Sequence, residues 1–546
     1  MATTTHGLAL YALCGLCVWA LWRVLRAYVV KSPLDNVPGP ERTSFLKGNT
    51  HQIFSRHGLD YLQELGERYG QVVRYYAPLG ARGLYVFDPK ALNHIVVKDQ
   101  AIYEEPRWFI RLNRLLFGPG LLSTLGDHHR KQRKLLNPVF SINHMRHMTP
   151  IFYNVVHDLR DAVAEQVKDT PTEVNVLDWM LRTALELVGQ GGLGYSFDAL
   201  SAQKRNVYGE ALKELLPTVF ALHFWRVLLP YVGAVVPAWV CRAAAPFLPH
   251  AAMQKLRRVV GAMDAHSRRI YEMKKGLLEK GDAAVVHQVS EGRDILSILM
   301  KANREVDEED RLPEDEIIAQ MSTLVFAATD TTSNALARIF QLLAEHPDVQ
   351  DRLRAELTDA APDGADIPYD ALVVLPYLDA VCRETLRLHP PASFMNREAR
   401  ADAVLPLAEP LRGADGAPIT EIAVPRGTPL IIAIRASNRN SALWGADALA
   451  WRPERWLAPL PDALAKAHVP GIYANLMTFL GGGRACIGFK FSQLEMKVVL
   501  AVMLRSFRFL PGDKEIYWNL APVAYPTVGK TSTKSELYLK LEPLKT

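Results

Sequence analysis

Apolar residues recur at helical spacing along most of the chain, so the predicted elements are mainly helices. The longest one begins after Pro313, where Glu314, Asp315 and Glu316 form an acidic first turn, and runs to about Glu345. At about 30 residues it would be roughly 50 Å long, enough to cross a whole domain. Further helices are predicted at His57–Tyr69, from Asp88, from Gly126, through most of Pro150–Met300, at Leu378–Leu388 and, as an amphipathic run, at Phe489–Phe507.

Strand-like patterns are short. Val72–Ala77 and Gly83–Phe87 predict two strands joined by a glycine-containing turn, and Asp402–Pro429 with Ile431–Ile434 predicts a small β-rich part. Pro390–Arg397 should be extended, because its prolines disfavour helix. The fold class is therefore mainly α with a small β lobe.

Two regions depart from the helical period. Tyr103–Leu125 is apolar but contains the turn residues Pro106 and Gly118–Gly120, so we predict an irregular segment, either packed loop or a mobile wall over a pocket. The helical pattern also breaks near Gly189–Gly194 and within Leu229–Pro249.

The N-terminal segment Gly7–Trp22 is apolar and uncharged, and Arg23, Arg26 and Lys31 follow it. This apolar core covers roughly 24 Å, so it reaches the roughly 30 Å of a bilayer only if residues 24–30 extend it. A cleavable signal peptide is the alternative, but here the positive charges follow the apolar run. We predict a transmembrane signal anchor over 1–31, a Pro-rich hinge over 32–42 and one catalytic domain over 43–546 on the cytosolic side.

Composition narrows the class of protein. Among the 546 residues 49% are hydrophobic and 22% charged, which is ordinary for a globular protein with a large core. The net charge of +5 is too small to indicate a nucleic-acid partner. The cysteines are few and scattered, which argues against a disulfide framework and favours a reducing compartment.

Candidate chemistry is concentrated at residues 479–488, Phe-Leu-Gly-Gly-Gly-Arg-Ala-Cys-Ile-Gly. The glycines allow close backbone approach, and Cys486 precedes a helix whose dipole favours a thiolate. Arg484 offers a guanidinium to a carboxylate. Together these features suit an axial thiolate ligand for haem iron. The alternatives are a buried structural cysteine and a phosphate-binding turn, and no Lys-Ser/Thr pair follows the glycines to support the second.

This stretch resembles the haem-binding loop of the cytochrome P-450 monooxygenases, Phe-x-x-Gly-x-Arg-x-Cys-x-Gly, at every defined position. The resemblance covers the chain after Pro38, with four motifs in the family's order, and its details are similar to fungal, basidiomycete-type microsomal members. It implies haem b, with Cys486 as the iron ligand. The implied contacts of the loop with the haem are Phe479, Gly482, Arg484 and Gly488.

The resemblance also implies partners for the haem propionates. The family's Trp-x-x-x-Arg pattern corresponds to His129 and Arg133, with histidine in place of tryptophan. An imidazole N–H could donate to a carboxylate, but its charge would vary with pH. Arg397 lies at the offset of a family residue that reaches a propionate.

The middle of the long helix carries Ala327-Ala328-Thr329-Asp330-Thr331-Thr332. An acid and three threonines are poor choices for a buried helix, and threonine hydroxyls can bond back to the preceding turn. An ordinary exposed Asp330 is the alternative, which the apolar neighbours disfavour. The motif resembles the family's oxygen-binding groove, with Ala328 at the family's glycine. The resemblance implies that Thr331 orients oxygen and water and that Asp330 relays protons.

A Glu-x-x-Arg pair, Glu384 and Arg387, lies among apolar residues, which predicts burial where each partner needs the other. Arg455 belongs to a stretch similar to the family's Pro-x-Arg-Phe, and the resemblance implies a structural charge network of all three residues. The substrate contacts that the resemblance implies are Phe109, Ala327, Ala328, Ala392, Ser393 and Phe394.

The implied function is insertion of one oxygen atom from O2 into an apolar substrate, such as a terpenoid or another secondary metabolite. Electrons would come from NADPH through a flavoprotein reductase, with cytochrome b5 as a second donor, at the endoplasmic reticulum membrane. The expected docking face is basic and consists of Arg130, Lys131, Lys134 and Lys490.

Several alternatives stay open. Leu229–Pro249 is either packed helix or a lid that dips into the membrane. Two rival functions are an enzyme that rearranges an oxidised substrate without a reductase, and a non-catalytic haem sensor. The pair Asp330 and Thr331 argues against both rivals, because neither needs a proton relay.

Overall fold

The structure is a computed structural model that describes residues 29–167, 170–201, 207–222, 238–280 and 294–544, with residues 15, 18, 22 and 236 described singly. Within these residues no helix is both long enough and apolar enough to cross a bilayer. The predicted anchor over 1–31 lies almost wholly outside the described residues, as do residues 229–235 and 237 of the second predicted break.

Helices make up most of the described chain, which confirms the mainly α prediction. Their bounds are α1 Thr50–Ile53, α2 Leu59–Tyr69, α3 Pro89–Asn93, α4 Arg107–Phe117, α5 Gly126–Leu136, α6 Ile142–Val167, α7 Val176–Leu187, α8 Val207–Ala221, α9 Ala238–Ala244, α10 Ala251–Glu279, α11 Ile295–Glu305, α12 Glu314–Glu345, α13 Pro347–Ala360, α14 Tyr369–Leu372, α15 Pro376–Leu388, α16 Ile434–Asn438, α17 Ser441–Trp444, α18 Asp462–Ala467 and α19 Phe489–Ser506.

Short strands form the β part of the fold. Their bounds are β1 Val72–Tyr76, β2 Arg82–Val86, β3 Tyr103–Glu104, β4 Thr172–Asn175, β5 Met395–Ala399, β6 Ala403–Arg412, β7 Pro418–Val424, β8 Pro429–Ile432, β9 Phe507–Pro511, β10 Ile516–Asn519, β11 Tyr525–Val528 and β12 Tyr538–Pro543. The largest sheet has the order β1-β2-β8-β5-β3, in which β2 and β8 are parallel and the other pairs antiparallel. The remaining sheets are β4-β12-β9, β10-β11 and β6-β7.

Helix α12 has the bounds that the sequence predicted. Pro313 and an acidic first turn begin it, and it ends at Glu345 before Pro347 starts α13. It contacts α7, α10 and α15, so it runs through the main helical core. A second core lies between the largest sheet, the β6-β7 hairpin and the residues before the cysteine loop.

Two sequence expectations are wrong. Residues 107–117 within Tyr103–Leu125 form a regular helix, because Pro106 and Gly118 lie at its ends rather than interrupting it. The run after the cysteine loop is not amphipathic over its length, since every residue of α19 from Leu494 to Leu504 is buried. A helix that is enclosed on all sides belongs to the core.

The residues after the predicted anchor pack against the largest sheet. Leu34 and Val37 are buried, and the Arg82 guanidinium pairs with the Asp35 carboxylate at 2.8 Å. The Arg74 N–H donates to the Pro38 carbonyl at 2.9 Å. The folded body therefore holds the direction in which the N-terminal segment leaves it.

Candidate active site

The cysteine loop is a tight turn between the second core and α19. The Cys486 N–H donates to the Phe479 carbonyl at 2.9 Å, and Leu480 and Gly482 take positive φ values of 55° and 65°. A Cβ on Gly481 would lie 1.9 Å from the Pro470 oxygen, and one on Gly482 would lie 1.8 Å from the Val96 oxygen. The close approach predicted for these glycines is therefore made to the protein's own backbone.

Cys486 is accessible at its surface, although many protein atoms surround its thiol. Burial raises the pKa of its thiol, and the Gly488 N–H and the Arg133 charge offset that effect only in part. Burial therefore opposes the thiolate form that the helix dipole favours. A coordinated metal ion would remove the proton outright.

Three guanidinium groups lie beside this loop. Arg133 on α5 donates from Nη1 to the Ala485 carbonyl at 2.6 Å, and Arg484 donates from Nη2 to the Thr124 carbonyl at 2.8 Å. Arg397 on β5 is buried, and its charge acts on Arg484. The three arginines predicted to meet the propionates are thus in one neighbourhood.

His129 is buried on α5 beside the same arginines. Burial, together with the charges of Arg484 and Arg133, lowers its pKa to about 3. Burial and the two arginines favour the neutral imidazole, whereas the negative propionates of a bound haem would act in the opposite direction. The neutral imidazole can still donate an N–H to a carboxylate.

Sequence reasoning missed Glu105 in this cluster. Its carboxylate lies 3.2 Å from Arg484 Nε and 3.5 Å from Arg397 Nη2, and it is the one carboxylate of the described chain that pairs with any of the three arginines. Its position beside Pro106, in the segment that we expected to be apolar, gave no signal in the sequence. The only available clue was two acids in a row before a proline at the end of a strand.

The charge of this cluster fits haem. Three buried or half-buried guanidinium groups and one carboxylate leave two positive charges in excess. A haem carries two propionates, and buried charges need partners of opposite sign. Arg133, Arg397, Arg484 and neutral His129 would hold the propionates, with Cys486 as the iron ligand.

Glu384, Arg387 and Arg455 meet in one buried network. Arg387 donates from Nε and Nη2 to the two Glu384 carboxylate oxygens, each at 2.8 Å, and Arg455 Nε lies 3.2 Å from Oε1. The Arg452 N–H and the Trp456 indole N–H also donate to Glu384, at 3.0 Å each. Burial raises the pKa of Glu384, but its bonds to Arg387 and the charge of Arg455 outweigh this and hold the pKa below its usual value.

The charge network reaches the cysteine loop through Asn438. Arg387 Nη1 donates to the Asn438 carbonyl at 3.1 Å, and the Asn438 side chain accepts from the Met477 N–H and donates to Thr478 Oγ1, both at 2.8 Å. Thr478 in turn donates to the Leu386 carbonyl at 2.9 Å. The network therefore fixes the two residues that precede Phe479.

The predicted oxygen groove lies on a continuous stretch of α12. The Thr331 hydroxyl donates to the Ala327 carbonyl at 2.7 Å, so it bonds back by one turn as expected, without breaking the helix. Burial raises the pKa of Asp330 to about 6. A carboxyl group with a pKa near neutrality can take up and release protons at working pH.

The predicted substrate contacts are dispersed. Ala327 and Ala328 are half-buried beside Asp330, and Phe109 lies on α4, which contacts α12. Ala392 is half-buried and Ser393 is buried. Phe394 is partly buried against the core of the largest sheet, and its ring packs on the exposed Phe54 with centroids 5.3 Å apart. A contact that sequence reasoning missed is Phe117 on Phe326, at 4.9 Å, next to the groove.

Comparison with known proteins agrees with this geometry. The family model described as Cytochrome P450 matches residues 38–522. Cytochrome P450 monooxygenase 91 of Postia placenta is 56% identical over 533 residues, which are 98% of both chains. A Ganoderma lucidum protein named ganoderic acid synthetase is 46% identical over 98% of this chain and 99% of its own. A cytochrome P450 of Hericium erinaceus is 40% identical over 94% and 95%.

The chain therefore belongs to the cytochrome P450 family of monooxygenases, and its relatives include fungal members. The family resemblance noted in the sequence is confirmed. Membership implies a haem-thiolate iron cofactor, which the charge of the arginine cluster fits.

Replacing the central acid of the charge network should destabilise the protein. In Glu384→Gln the buried Arg387 loses its carboxylate partner and Arg455 keeps only Asp447, so we expect the free energy of unfolding to fall by about 3–5 kcal/mol. Denaturant unfolding followed by tryptophan fluorescence measures this change. Asp127→Asn, in an exposed pair with Arg130, is the matched control and should cost less than about 0.5 kcal/mol. Equal effects of the two substitutions would contradict the assigned role.

Replacing Asp330 should stabilise the protein, in contrast to the replacement of Glu384. A carboxyl group whose pKa is about 6 in the folded chain and 3.8 in the unfolded chain costs stability once pH exceeds 3.8. Asp330→Asn should therefore raise the melting temperature, by the equivalent of up to about 3 kcal/mol at pH 8 and by less at pH 5. Thermal unfolding at both pH values measures this gain, and a gain that does not depend on pH would refute the raised pKa.

Proposed function

We propose that the protein is a haem-thiolate monooxygenase that inserts one oxygen atom from O2 into an apolar organic substrate. The observation that carries the proposal is the arginine cluster, whose two excess charges lie beside Cys486 at the end of a loop held by buried groups. Bound at this site, haem would supply oxygen activation, with the thiolate of Cys486 donating electron density to the iron.

The residues of α12 supply the acid and hydroxyl groups that this reaction needs. The Thr331 hydroxyl donates its proton to the Ala327 carbonyl, so its oxygen can still accept a hydrogen bond and orient water on the open side of the groove. Because the pKa of Asp330 is raised, its carboxyl group can hold a proton at working pH and deliver it. Ala328 adds a methyl group to the wall and narrows the space beside them.

The substrate we propose is a terpenoid or another apolar secondary metabolite. The relative from Ganoderma lucidum is named for synthesis of an organic acid, ganoderic acid, which supports oxidation of an apolar skeleton as the reaction type. An apolar wall lies on the side of the site where oxygen and substrate would bind. It consists of the aromatic pair Phe117 and Phe326 and the half-buried Phe109. Such a wall favours apolar ligands by burying their surface.

We propose further that electrons come from NADPH through a membrane-bound flavoprotein reductase, with cytochrome b5 as a second donor. Lys134 is exposed on α5, whose residue Arg133 contacts the cysteine loop, and Arg130 is exposed beside it. Lys131 is held by the Glu309 carbonyl and by Asp310, and Lys490 is half-buried over Phe489, so these two are less available. The apolar segment 1–31 supports anchorage in the endoplasmic reticulum membrane, with the catalytic domain cytosolic.

The ligand assignment is tested by the ferrous–CO spectrum of the haem-loaded protein. We expect the red-shifted Soret band of a thiolate-bound haem in the unmodified chain and its loss in Cys486→Ser. Cys382→Ser is the matched control, because Cys382 is buried and its pKa is raised to about 12 by burial. A red-shifted band that survives Cys486→Ser would refute the assignment.

The proton relay is tested by coupling. In Thr331→Ala the oxygen molecule and its waters lose a hydroxyl partner, so more hydrogen peroxide should be released per NADPH consumed, by about tenfold or more. Thr329→Ala is the control, since the Thr329 hydroxyl is buried on another face of the helix. Unchanged coupling in Thr331→Ala would refute this role.

NADPH consumption separates the rival functions. A monooxygenase consumes NADPH only when both reductase and substrate are present. A rearranging enzyme would convert its substrate without reductase, and a haem sensor would turn over nothing in either assay.

A further inference from the structure

A cavity of about 50 Å³ lies next to the oxygen groove, between α12, the segment after α15 and the β10-β11 hairpin. Its lining is mixed, with Leu59, Ala335 and two prolines beside polar and basic side chains. The side chains that carry its chemistry are Asn334, Arg338, His389, Ser393, Arg435 and Trp518. Asn334 and Arg338 follow Asp330 by one and two helical turns, so the cavity begins about 6 Å along the helix from the proposed proton relay.

The guanidinium of Arg338 is fixed but not fully bonded. Nη1 donates to Gln341 Oε1 and Nη2 donates to His389 Nδ1, both at 3.0 Å, and the guanidinium carbon lies 4.7 Å from the centre of the Trp518 ring. Its Nε is buried and has no hydrogen-bond partner. A buried charged donor without a partner costs free energy, so this group needs an acceptor.

The other cations near the cavity also lack carboxylate partners. Arg435 Nη1 donates to the Leu59 carbonyl at 2.9 Å, and both Arg439 Nε and Nη2 donate to the Leu388 carbonyl. Within the described chain no acidic side chain forms an ion pair with Arg338, Arg435 or Arg439. Three guanidinium groups are thus clustered with carbonyl and histidine acceptors alone.

The electrostatic cost of clustering these cations is reflected in their lowered pKa values. Burial lowers the pKa of Arg338 to about 10, and Arg435 adds to the effect. Burial, followed by the charges of Arg435, Arg338 and Arg387, lowers the pKa of Arg439 to about 8. Burial and the surrounding arginines also lower the pKa of His389, which therefore stays neutral. Asp60 and Glu345 act on the cluster only from a distance.

We propose that this cavity is an anion site, in which Arg338 and Arg435 hold one small anion of the size of chloride or a carboxylate group. The anion supplies the counter-charge that the protein omits, and Arg338 Nε donates to it. A single water needs about 10–15 Å³ of such space, so the cavity has room for the anion and for a water that donates to Asn334 Oδ1, which also has no donor. The site does not depend on the proposed substrate or redox partner.

Water alone is the alternative occupant. Water would satisfy the unpartnered atoms but would offset none of the three positive charges, whereas an anion offsets one of them. The two cations of the lining, Arg338 and Arg435, also repel a proton, so the cavity is poorly suited to extend the proton relay of Asp330. An anion both accepts the free hydrogen bonds and offsets positive charge.

The test is thermal unfolding of the haem-loaded, full-length protein with increasing chloride or acetate, at an ionic strength kept constant with a bulky organic sulfonate. We expect the melting temperature to rise with chloride and to saturate. In Arg338→Gln the apparent dissociation constant should rise at least tenfold, because a charged hydrogen bond is lost. Arg435→Gln should have the same effect and serves if Arg338→Gln does not fold. Arg352→Gln, at an exposed arginine of α13, is the matched control and should leave the saturation curve unchanged.

Acetate identifies the kind of ligand. If acetate stabilises the protein and competes with chloride, the site accepts a carboxylate group. If only chloride acts, the site is restricted to a small inorganic anion. A melting temperature that neither anion changes at this constant ionic strength, or an anion effect that persists in both arginine variants, overturns the proposal.

Discussion

The bond between Glu384 and Arg387 is the constraint on which the active site depends. Both side chains are fully buried, so neither is tolerable without the other, and every remaining polar atom of the pair has a partner in the surrounding backbone. Through the amide of Asn438 the pair fixes residues 477 and 478, and these set the start of the cysteine loop. The position of Cys486 is thus determined by a charge pair that never meets the reacting atoms.

A second electrostatic balance governs the cofactor side. Arg133, Arg397 and Arg484 would repel one another strongly if left alone, and Glu105 compensates one of their charges. The remaining imbalance equals the charge of two propionates. A neutral His129 fits this arithmetic, since a protonated imidazole would add a charge that nothing in the cluster could compensate.

Residues with fixed spacing were predictable from the sequence, and residues brought together by the fold were not. The bounds of α12, the charge network and the arginines near the loop follow from motifs in which residue type and spacing reflect one requirement. Helix α4 was not predicted, because Pro106 and Gly118 resemble interruptions of an apolar stretch, although they lie at the two ends of the helix. Glu105, the unpaired cluster around Arg338 and the raised pKa of Cys486 depend on distant contacts and burial, which no local pattern encodes.

The glycines of the cysteine loop have a consequence for the order of assembly. Gly481 and Gly482 are pressed against the carbonyl oxygens of Pro470 and Val96, so the loop takes its shape from contacts within the polypeptide. These contacts preorganise the cysteine ligand, so part of the entropy of ordering the loop is spent during folding rather than during cofactor capture. A substitution at either glycine would act as a folding lesion, and added haem would not rescue it.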